Sequence, residues 1–340
     1  MDIKQALALV AENQDLSNDD MRAVMKQIMT GGATDAQIGA FLMAMRIKGE
    51  TVAEISAAAA VMRELAVPVA IQSANAVDIV GTGGDGANLF NVSSASSFVV
   101  AAAGGHVAKH GNRSVSSSSG SADLLEKAGL NLELSPEQIA RCIDEQGLGF
   151  MFAPQHHSAM KHAIGPRKEM GLRTIFNVLG PLTNPAGAKR YVLGVFDGSL
   201  CRPLAEALQS LGCVHAMVVH SDEGLDEISL AGESKVVELK DGELNEYKVS
   251  PSDVGIAAQP LDSLQVHSSE ESLALIKAAF SGENQGAANI IALNAGAALY
   301  VAGEADTWQA GVEKALAVMN DGRALAKMAE LAEFSQSFKA

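Results

Sequence analysis

The sequence predicts an α/β protein with a small α-helical domain and a large α/β domain, whose central, mostly parallel sheet is flanked by helices. From Val77 to His220, short apolar runs alternate with helical stretches, as in a parallel sheet with helical crossovers. Residues 1–66 show only the helical spacing of apolar side chains. The 340 residues also include 32 glycines, many of them in loops between the apolar runs, which fits tight connections at a ligand-binding edge.

Four short amphipathic helices are predicted in the first 66 residues. Ser17, Thr34 and Thr51 are each followed three residues later by an acidic or amide side chain, a pattern typical of a helix N-terminus. Helices of this length cannot bury their apolar faces alone, so we expect them to pack on one another. The methionine-rich stripe after Ser17 fits either the core of that bundle or a dimer surface.

The domain boundary is predicted where Val67-Pro68-Val69 ends the helical pattern and small, polar residues follow. We expect a helical domain over 1–69, an α/β domain over 70–340 and a hinge near 67–76. Residues 163–185 stand apart, because proline and glycine breaks flank a short helix that carries Arg167 and Arg173. This segment is predicted to cross back to the helical domain and join it.

Five parallel strands are predicted, and after Asp226 the pattern becomes antiparallel, with Asp241-Gly242 as a hairpin turn. The C-terminus returns to helices. The parallel strands are expected at 78–80, 107–109, 149–152, 191–196 and 216–220, the antiparallel strands at 228–230, 235–240 and 243–249, and the last helices at 269–280, 284–302 and 306–331.

Charge and composition exclude several classes of protein. The net charge of −15 argues against a protein that tracks nucleic acid, although an acidic chain can still bind a small polyphosphate. The three cysteines are widely spaced, as expected of free thiols in a reducing compartment. The N-terminus lacks a signal pattern and no apolar run reaches membrane-spanning length, so we expect a cytoplasmic protein without a membrane partner.

Residues 81–86, directly after the first predicted strand, contain four glycines. They match G-x-G-x-x-G, but no helix opens at the last glycine and no acidic residue lies about 20 positions further on, as a dinucleotide site requires. Successive backbone N–H groups without Cβ atoms still suit an anion. Taken alone, a tight turn would explain the glycines better.

A second loop after the next strand favours an anion-binding site over a simple tight turn. It places Lys109, His110 and Asn112 at a strand end and adds several serine hydroxyls before the next helix, where anions bind favourably. Ligands of parallel sheets bind beyond the carboxyl ends of the strands, where two such loops meet. The sequence therefore predicts a phosphate site with two loops.

Three further groups are candidates for the chemistry. Asp226-Glu227 offers hard oxygen ligands for Mg²⁺, and spacing alone does not separate this pair from Asp222-Glu223. Arg167 is suited to a carboxylate, although an ion pair with Glu169 is the simpler alternative. His156-His157 fits packing or substrate contact better than a metal site.

In these motifs the chain resembles the anthranilate phosphoribosyltransferases of tryptophan biosynthesis. The resemblance spans most of the chain in the same order and implies a fold class shared with pyrimidine nucleoside phosphorylases. It also implies a homodimer formed through the helical domains. The sequence departs from the family pattern at Leu89, often Thr, and at Ser118, often Lys. The matching motifs are 81–85, 91–94, 109–117, 119–123, 165–177, 180–185 and 224–227.

The resemblance implies a set of site residues. Lys109, Asn112 and Arg167 are expected to be catalytic. Anthranilate is expected to contact Gly81, Asn112 and Arg167, with His110 and His157 along its path. Two Mg²⁺ per subunit are expected at Ser93, Asp226 and Glu227. Phosphoribosyl pyrophosphate is expected to bind Gly81, Gly84, Asp85, Asn91, Val92, Ser93, Ser94, Lys109, His110, Gly111, Asn112, Arg113, Ser114, Val115, Ser116, Ser117 and Ser121.

The implied reaction is the Mg²⁺-dependent transfer of the phosphoribosyl group to the amine of anthranilate, with release of pyrophosphate. Two alternatives remain. A pyrimidine nucleoside phosphorylase-like enzyme normally has Ser where Gly111 stands. A non-catalytic relative that binds nucleic acid should have a basic groove and should have lost the acidic pair, whereas this chain is acidic and keeps Asp226-Glu227.

Overall fold

The computed structural model describes residues 1–114 and 118–339 and confirms the predicted fold class. The chain begins with four helices whose N-caps, Asp2, Ser17, Thr34 and Thr51, accept hydrogen bonds from the first helical turn. The helices of the described residues are α1 (Ile3–Ala11), α2 (Asn18–Met29), α3 (Asp35–Lys48), α4 (Val52–Leu65), α5 (Val92–Ala102), α6 (Ser121–Lys127), α7 (Pro136–Gln146), α8 (Ala153–His156), α9 (Lys161–Met170), α10 (Phe176–Leu179), α11 (Cys201–Ser210), α12 (Ser269–Phe280), α13 (Gln285–Ala302), α14 (Trp308–Asn320) and α15 (Arg323–Gln336).

A seven-stranded sheet has the order β3-β2-β1-β4-β5-β6-β7. The first five strands in this order are parallel, and β6 and β7 are antiparallel, as predicted. Because β1 has β2 on one side and β4 on the other, the crevice beyond its carboxyl end is where such sheets bind ligands. The strands are β1 (Val77–Gly81), β2 (Val107–Gly111), β3 (Leu148–Phe152), β4 (Arg190–Gly194), β5 (His215–Ser221), β6 (Ser234–Lys240) and β7 (Glu243–Val249).

Two predicted elements are wrong. Residues 228–230 do not form a strand, because the backbone N–H and C=O of Ile228 bond the side chain of Asn294 on α13. Residues 306–331 do not form one helix, because Gly322 has a left-handed φ of 81° between α14 and α15. No helix in the described part of the chain combines the length and apolar character required to cross a membrane.

The two faces of the sheet belong to different cores. Ile79 and Val192 face α5 and α13, and α13 is buried on nearly all sides. Tyr191 and Leu193 point to the opposite face, where they join α11 and the N-terminal helices in one continuous apolar cluster. Arg63 of α4 reinforces this junction, since its guanidinium donates to the hydroxyl of Tyr191 and to backbone carbonyls.

The predicted hinge region, 67–76, is tied to the α/β domain by hydrogen bonds. The N–H of Val67 donates to the carbonyl of His156 at 2.8 Å. Further along, the N–H groups of Gln72 and Ser73 donate to the carboxylate of Asp144. After α8 the chain returns to the N-terminal helices, where α9 packs on α2 and α3. This return brings the segment that contains Arg167 to the edge of the sheet.

Candidate active site

A cleft of about 970 Å³ opens at the carboxyl ends of the central strands, and the α9–α10 segment forms its other wall. Ile164 and Leu172 of this wall are exposed large apolar side chains. The cleft is lined by residues of both loops, the start of α5, the acidic pair and the α9–α10 segment, namely Val80, Gly81, Thr82, Gly83, Gly84, Asp85, Asn88, Leu89, Phe90, Asn91, Val92, Ser93, Lys109, His110, Gly111, Asn112, Arg113, Ser114, Ser119, Gly120, Ser121, Ile164, Arg167, Lys168, Gly171, Leu172, Arg173, Asn177, Phe196, Asp226 and Glu227.

Three carboxylates converge on one side of the cleft. Asp226 Oδ2 accepts the N–H of Gly83 at 2.7 Å, and Glu227 Oε1 accepts the N–H of Ser93 at 3.2 Å. Asp85 lies close enough to Asp226 to interact with its carboxyl group. The pair that follows β5 is therefore held against both the glycine loop and the start of α5. The alternative pair, Asp222-Glu223, is exposed and lies outside the cleft lining.

Burial and mutual repulsion raise the pKa values of the acidic pair. Burial, followed by the negative charge of Asp85, raises the pKa of Asp226 to about 7. Burial and the charge of Asp226 raise the pKa of Glu227 well above its ordinary value. A divalent cation would relieve this repulsion, and the oxygen donors of Ser93, Asp226 and Glu227 are of the kind that Mg²⁺ binds.

The acidic pair alone does not form a complete metal cage. Within residues 1–114 and 118–339, no group of three or more His, Cys, Asp or Glu side chains has an arrangement that could hold a metal ion. Mg²⁺ commonly takes only one or two carboxylates from a protein and completes its shell with substrate phosphates and water. The donor set therefore fits an ion that binds together with a phosphorylated substrate.

Lys109 of β2 lies close to these carboxylates. Its Nζ donates to the carbonyl of Ile79 at 2.6 Å and to Ser93 Oγ at 3.4 Å. Burial lowers its pKa, while the nearby charges of Asp78 and Glu227 oppose that shift. The ammonium group is thus a desolvated cation at the base of the cleft, where it interacts strongly with any anion.

The glycine loop is shaped by residues that need a left-handed backbone. Gly83 has a φ of 65° and Gly84 a φ of 77°. A Cβ atom on Gly81 would collide with the carboxylate of Asp226, and Gly194 at the end of β4 likewise allows the backbone of Asp226 to approach. Glycine is therefore required here for close packing as well as for turning the chain, and the simple tight-turn explanation is incomplete.

The second loop is closed by side chains at its two ends. Asp123 accepts the N–H groups of Ser114 at 3.0 Å and Gly120 at 3.1 Å. Arg113 forms ion pairs of 2.9 Å with Asp123 and with Glu126. The charge of Arg113 is therefore partly neutralised by helix α6 at the rim of the cleft.

Asn91 connects the serine-rich loop to α12. Its Oδ1 accepts the hydroxyls of Ser119 and Ser272, both at 2.7 Å, and its Nδ2 donates to the carbonyl of Ser119 at 3.1 Å. Ser118, a departure from the family pattern, donates its hydroxyl to the carbonyl of Val266. These bonds hold the end of the second loop against the start of α5 and against the chain at α12. The predicted residues Val115, Ser116 and Ser117 lie outside the described residues.

Gly111 lies where an added side chain would meet neighbouring residues. A Cβ atom there would collide with Ser121 Oγ and would lie 2.9 Å from the ring of Phe150. Ser121 also donates its hydroxyl to the carbonyl of Asn112 at 3.3 Å. A serine at position 111, as nucleoside phosphorylases normally have, does not fit this packing.

Arg167 has no ion-pair partner in the described part of the chain. Its guanidinium lies 5.1 Å from the centroid of the Phe176 ring, and burial lowers its pKa. The alternative ion pair with Glu169 is not formed. An unpaired arginine beside the apolar Ile164 and Leu172 offers a fork for a carboxylate next to surfaces that suit an aromatic ring.

Three buried histidines lie behind the second loop. The rings of His110 and His157 have centroids 5.1 Å apart, and the Nδ1 of His156 is 2.9 Å from the carbonyl of Val67. In each of the three, Nε2 has no hydrogen-bond partner among the described residues. Burial lowers the pKa of His110 to about 3 and that of His157 to about 4, so the histidines are neutral near pH 7.

Most of the predicted site residues line one cleft, although they come from distant parts of the chain. Ser94 and His157 are buried outside the lining. Arg173 and Phe196 also line the cleft, although neither is among the predicted site residues. The position of Arg173 in the positive segment, six residues after Arg167, was a usable signal, and Phe196 follows directly after a central strand.

The chain matches known proteins along its full length. Residues 73–325 match the a/b domain of a glycosyl transferase family, and residues 4–66 match the helical bundle domain of such a family. Anthranilate phosphoribosyltransferase of Marinobacter nauticus is 63% identical over 342 residues, covering 99% of this chain and 100% of that protein. The Azotobacter vinelandii enzyme of the same name is 60% identical over 343 residues, covering 100% and 99%.

Solved structures agree with these sequence matches. Anthranilate phosphoribosyltransferase from Thermus thermophilus superposes with a TM-score of 0.92 at 42% identity, covering 97% of this chain and 99% of that chain. The Saccharomyces cerevisiae enzyme in complex with PRPP and Mg has a TM-score of 0.88 at 25% identity, with 98% of each chain covered. Together with the cleft, these likenesses establish that the chain belongs to the anthranilate phosphoribosyltransferase family.

Proposed function

We propose that this chain transfers the phosphoribosyl group of phosphoribosyl pyrophosphate to the amine of anthranilate in a Mg²⁺-dependent reaction of tryptophan biosynthesis. The products are N-(5-phosphoribosyl)anthranilate and pyrophosphate, and the expected compartment is the cytoplasm. The observation that carries the proposal is the meeting, in one cleft, of a glycine loop, an acidic pair and an unpaired arginine. The names of relatives that are more than 60% identical support it.

The donor is proposed to lie along the glycine loop, the start of α5 and the second loop. The N–H groups of Gly83 and Ser93 are held by the acidic pair. The other N–H groups of the glycine turn and the N-terminal end of α5 form the kind of positive environment that suits phosphate oxygens. Lys109 adds a desolvated positive charge at the same place. These residues would hold the pyrophosphate and stabilise the negative charge that grows on it as it leaves.

The metal residues are proposed to be Ser93, Asp226 and Glu227, with two Mg²⁺ per subunit. The closeness of the carboxylates and the raised pKa values of the pair support this assignment. When bound, Mg²⁺ neutralises charge on the departing pyrophosphate. The N–H groups of Gly83 and Ser93 hold the two carboxyl groups in place before any ion arrives.

The acceptor is proposed to bind between Arg167 and the carboxyl end of β1. Arg167 would pair with the carboxylate of anthranilate, which supplies the partner that the described chain lacks. Gly81 and Asn112 would contact the same molecule, and His110 and His157 would line its path as neutral side chains. The exposed Ile164 and Leu172 offer an apolar surface for the ring.

The proposed reaction needs positioning and electrostatic stabilisation rather than a strong base. The bond between C1 of the ribose and the pyrophosphate oxygen breaks, and its electron pair leaves with pyrophosphate. The lone pair of the aromatic amine, which is unprotonated at neutral pH, forms the new C1–N bond from the opposite face. The amine then loses a proton to solvent. Closure of the helical domain over the cleft would exclude water from C1.

We also propose the domain organisation and dimer that the resemblance implies. The boundary at 69–70 coincides with the tethered linker, and segment 163–185 packs on the N-terminal helices. Met43 and Ile47 on α3 are exposed large apolar side chains, which supports an interface of helical domains. Sedimentation equilibrium checks this assembly: a dimer has twice the mass of the 35.2 kDa chain.

A turnover assay tests the proposed function. Purified protein with Mg²⁺, phosphoribosyl pyrophosphate and anthranilate should consume anthranilate fluorescence and release pyrophosphate. No loss of fluorescence, alongside a working control enzyme, would sink the proposal. Parallel assays should show no turnover of pyrimidine nucleosides with phosphate and no binding of nucleic acid. Activity or binding there would instead support one of the two alternatives.

A further inference from the structure

Arg173 connects two walls of the cleft that come from different parts of the chain. It lies in the turn between α9 and α10, and its guanidinium donates to the carbonyl of Gly84 in the glycine loop. The same guanidinium lies 4.0 Å from the centroid of the Phe196 ring. On its other side, Arg46 of α3 donates to the backbone carbonyl of Arg173. The turn is therefore fastened both to the N-terminal helices and to the glycine loop.

The glycine loop is built to receive this side chain. A Cβ atom on Gly84 would lie 2.6 Å from the guanidinium of Arg173, and the φ of 77° at Gly84 also favours glycine. No carboxylate forms an ion pair with Arg173 in the described residues. Arg173 is exposed, and its guanidinium, as a charged donor, forms a stronger hydrogen bond to the carbonyl than a neutral donor would.

Holding this carbonyl also orients its neighbours. The carbonyl of Gly84 and the N–H of Asp85 share one planar peptide and point in opposite directions, so fixing one fixes the other. The adjacent N–H of Gly83 is held by Asp226 at 2.7 Å. The glycine loop is thus held at consecutive residues, by the acidic pair on one side and by Arg173 on the other.

We propose that Arg173 is a positioning residue that couples phosphate binding at the glycine loop to acceptor binding at Arg167. This inference rests on the proposed function. Arg167 belongs to the last turn of α9, and Gly171 separates that helix from Arg173. When phosphate oxygens order the glycine loop, the turn that Arg173 holds is ordered with it, and Arg167 is brought to its working position. The acceptor then binds more tightly to the phosphate-loaded protein than to the free protein.

Binding measurements without turnover test this coupling. Titration calorimetry gives the Kd of anthranilate with and without saturating Mg²⁺–pyrophosphate, which cannot react with it. The wild-type protein should bind anthranilate about 5-fold or more tightly when pyrophosphate is present, a common size of coupling between sites. In Arg173→Ala this ratio should fall to about one. In steady-state assays the KM of anthranilate should rise more than the KM of the donor.

Two further variants separate positioning from direct contact with phosphate. Arg173→Gln keeps a planar N–H donor for the carbonyl of Gly84 but removes the charge, so partial recovery of the ratio supports positioning. Arg46→Ala removes the donor to the backbone carbonyl of Arg173 and should reduce the same ratio, although Arg46 lies outside the cleft lining. It also keeps the test valid if Arg173→Ala fails to fold. Arg202→Gln, which removes an exposed arginine on α11, is the matched control and should leave the ratio unchanged.

Specific results would overturn the inference. An equal Kd of anthranilate with and without pyrophosphate in the wild-type protein would refute the coupling. If Arg173→Ala keeps the coupling but loses pyrophosphate affinity, Arg173 is a direct anion ligand instead. If Arg173→Gln restores the ratio no better than Arg173→Ala, and Arg46→Ala leaves the ratio unchanged, the positioning role is also refuted. Failure of the proposed function is distinguishable, because it appears as a lack of turnover in the wild-type protein.

Discussion

At the scale of single residues, the cleft contains charged groups in unfavourable surroundings. Some have no partner of opposite charge or are removed from water, and others lie next to a group of the same charge. Arg167 lacks an ion-pair partner within the described ranges, Lys109 is desolvated, and Asp226 and Glu227 repel each other. Each arrangement costs free energy in the absence of ligand and is relieved by a ligand of the opposite charge. The roles proposed for these residues can therefore be tested one at a time.

Arg167→Ala should weaken acceptor binding far more than donor binding. Loss of a charged hydrogen-bond pair of about 1.5–3 kcal/mol corresponds to a rise of about 10–100-fold in the KM of anthranilate. Steady-state kinetics with each substrate varied in turn measure this. Lys161→Ala removes an exposed charge from the same helix and serves as control. Equal losses for both substrates would make Arg167 a structural residue.

Asp226→Asn combined with Glu227→Gln should move the Mg²⁺ dependence of the reaction to higher concentration. We expect a shift of about tenfold or more, because removal of ligating carboxylates takes away the charge that attracts the ion. Mg²⁺ titrations of the initial rate measure it. The exposed pair changed in the same way, Asp222→Asn with Glu223→Gln, should behave like wild type. The reverse result would reassign the metal to that pair.

The buried histidines predict a pH dependence of stability. The pKa of His157 is lowered to about 4 in the folded chain from an ordinary 6.5, so the unfolded chain binds the extra proton between these values. The free energy of unfolding therefore falls as pH decreases from 6.5 towards 4, by about 1.4 kcal/mol per pH unit for each such group. Above pH 6.5 this contribution is fully present.

His157→Gln should reduce that slope. Urea unfolding at several pH values between 4 and 6.5 measures it, with the exposed His267→Gln as the matched control. A slope that is equal in wild type and in His157→Gln would contradict burial of a neutral histidine at this position.

At the scale of elements, the ends of parallel strands are joined by close backbone contacts. Gly81 ends β1, Gly111 ends β2 and Gly194 ends β4, and at each a Cβ atom would meet a residue from another part of the chain. The loops that follow these three strands can therefore meet in one crevice only because the last residue of each strand has no side chain.

Gly81→Ala should weaken the binding of Mg²⁺ without straining the backbone. Its added methyl group would displace the carboxylate of Asp226, while its φ lies outside the left-handed region. We expect a rise of about tenfold or more in the Mg²⁺ concentration for half-maximal rate. The control is Gly39→Ala on α3, where open space surrounds the Cβ and the backbone is not left-handed, and it should keep the wild-type Mg²⁺ dependence. A normal Mg²⁺ dependence in Gly81→Ala would rule out this crowding.

At the scale of the whole molecule, the N-terminal helices and one face of the sheet share a core. Leu208 of α11 is fully buried in the cluster that continues into α4, so the two domains should unfold together. Leu208→Ala should lower the free energy of unfolding by about 2–5 kcal/mol.

The measurement uses two probes of denaturant unfolding. The fluorescence of Trp308, on the opposite side of the sheet, and far-ultraviolet circular dichroism should report one coincident transition in wild type. Both should shift equally in Leu208→Ala, whereas the exposed Ser210→Ala on the same helix should change little. Two separate transitions would show that the domains unfold independently.

Much of the fold could be predicted because its signals are local. The alternation of strands and helices, the helix caps and the Asp241-Gly242 hairpin depend on spacings of a few residues. The strand predicted at 228–230 is wrong because Asn294, 66 residues away, takes its backbone hydrogen bonds. The continuous helix predicted at 306–331 is wrong because Gly322 separates two helices. The apolar residues on both sides of it have helical spacing, which favours one uninterrupted helix.

The fold class, the two glycine- and serine-rich loops, the candidate acidic pair and the resemblance to a family could all be predicted from the amino-acid sequence, because each depends on a contiguous motif or a local spacing. The packing of distant elements placed Asp226-Glu227 in the cleft and left the pair four residues earlier exposed outside it. It also left Arg167 without an ion-pair partner in the described chain and brought Arg173 onto Gly84. Those outcomes depend on the sheet order and on the return of α9 to the N-terminal helices. Contacts of this range are set by packing and are not encoded in the spacing of neighbouring residues.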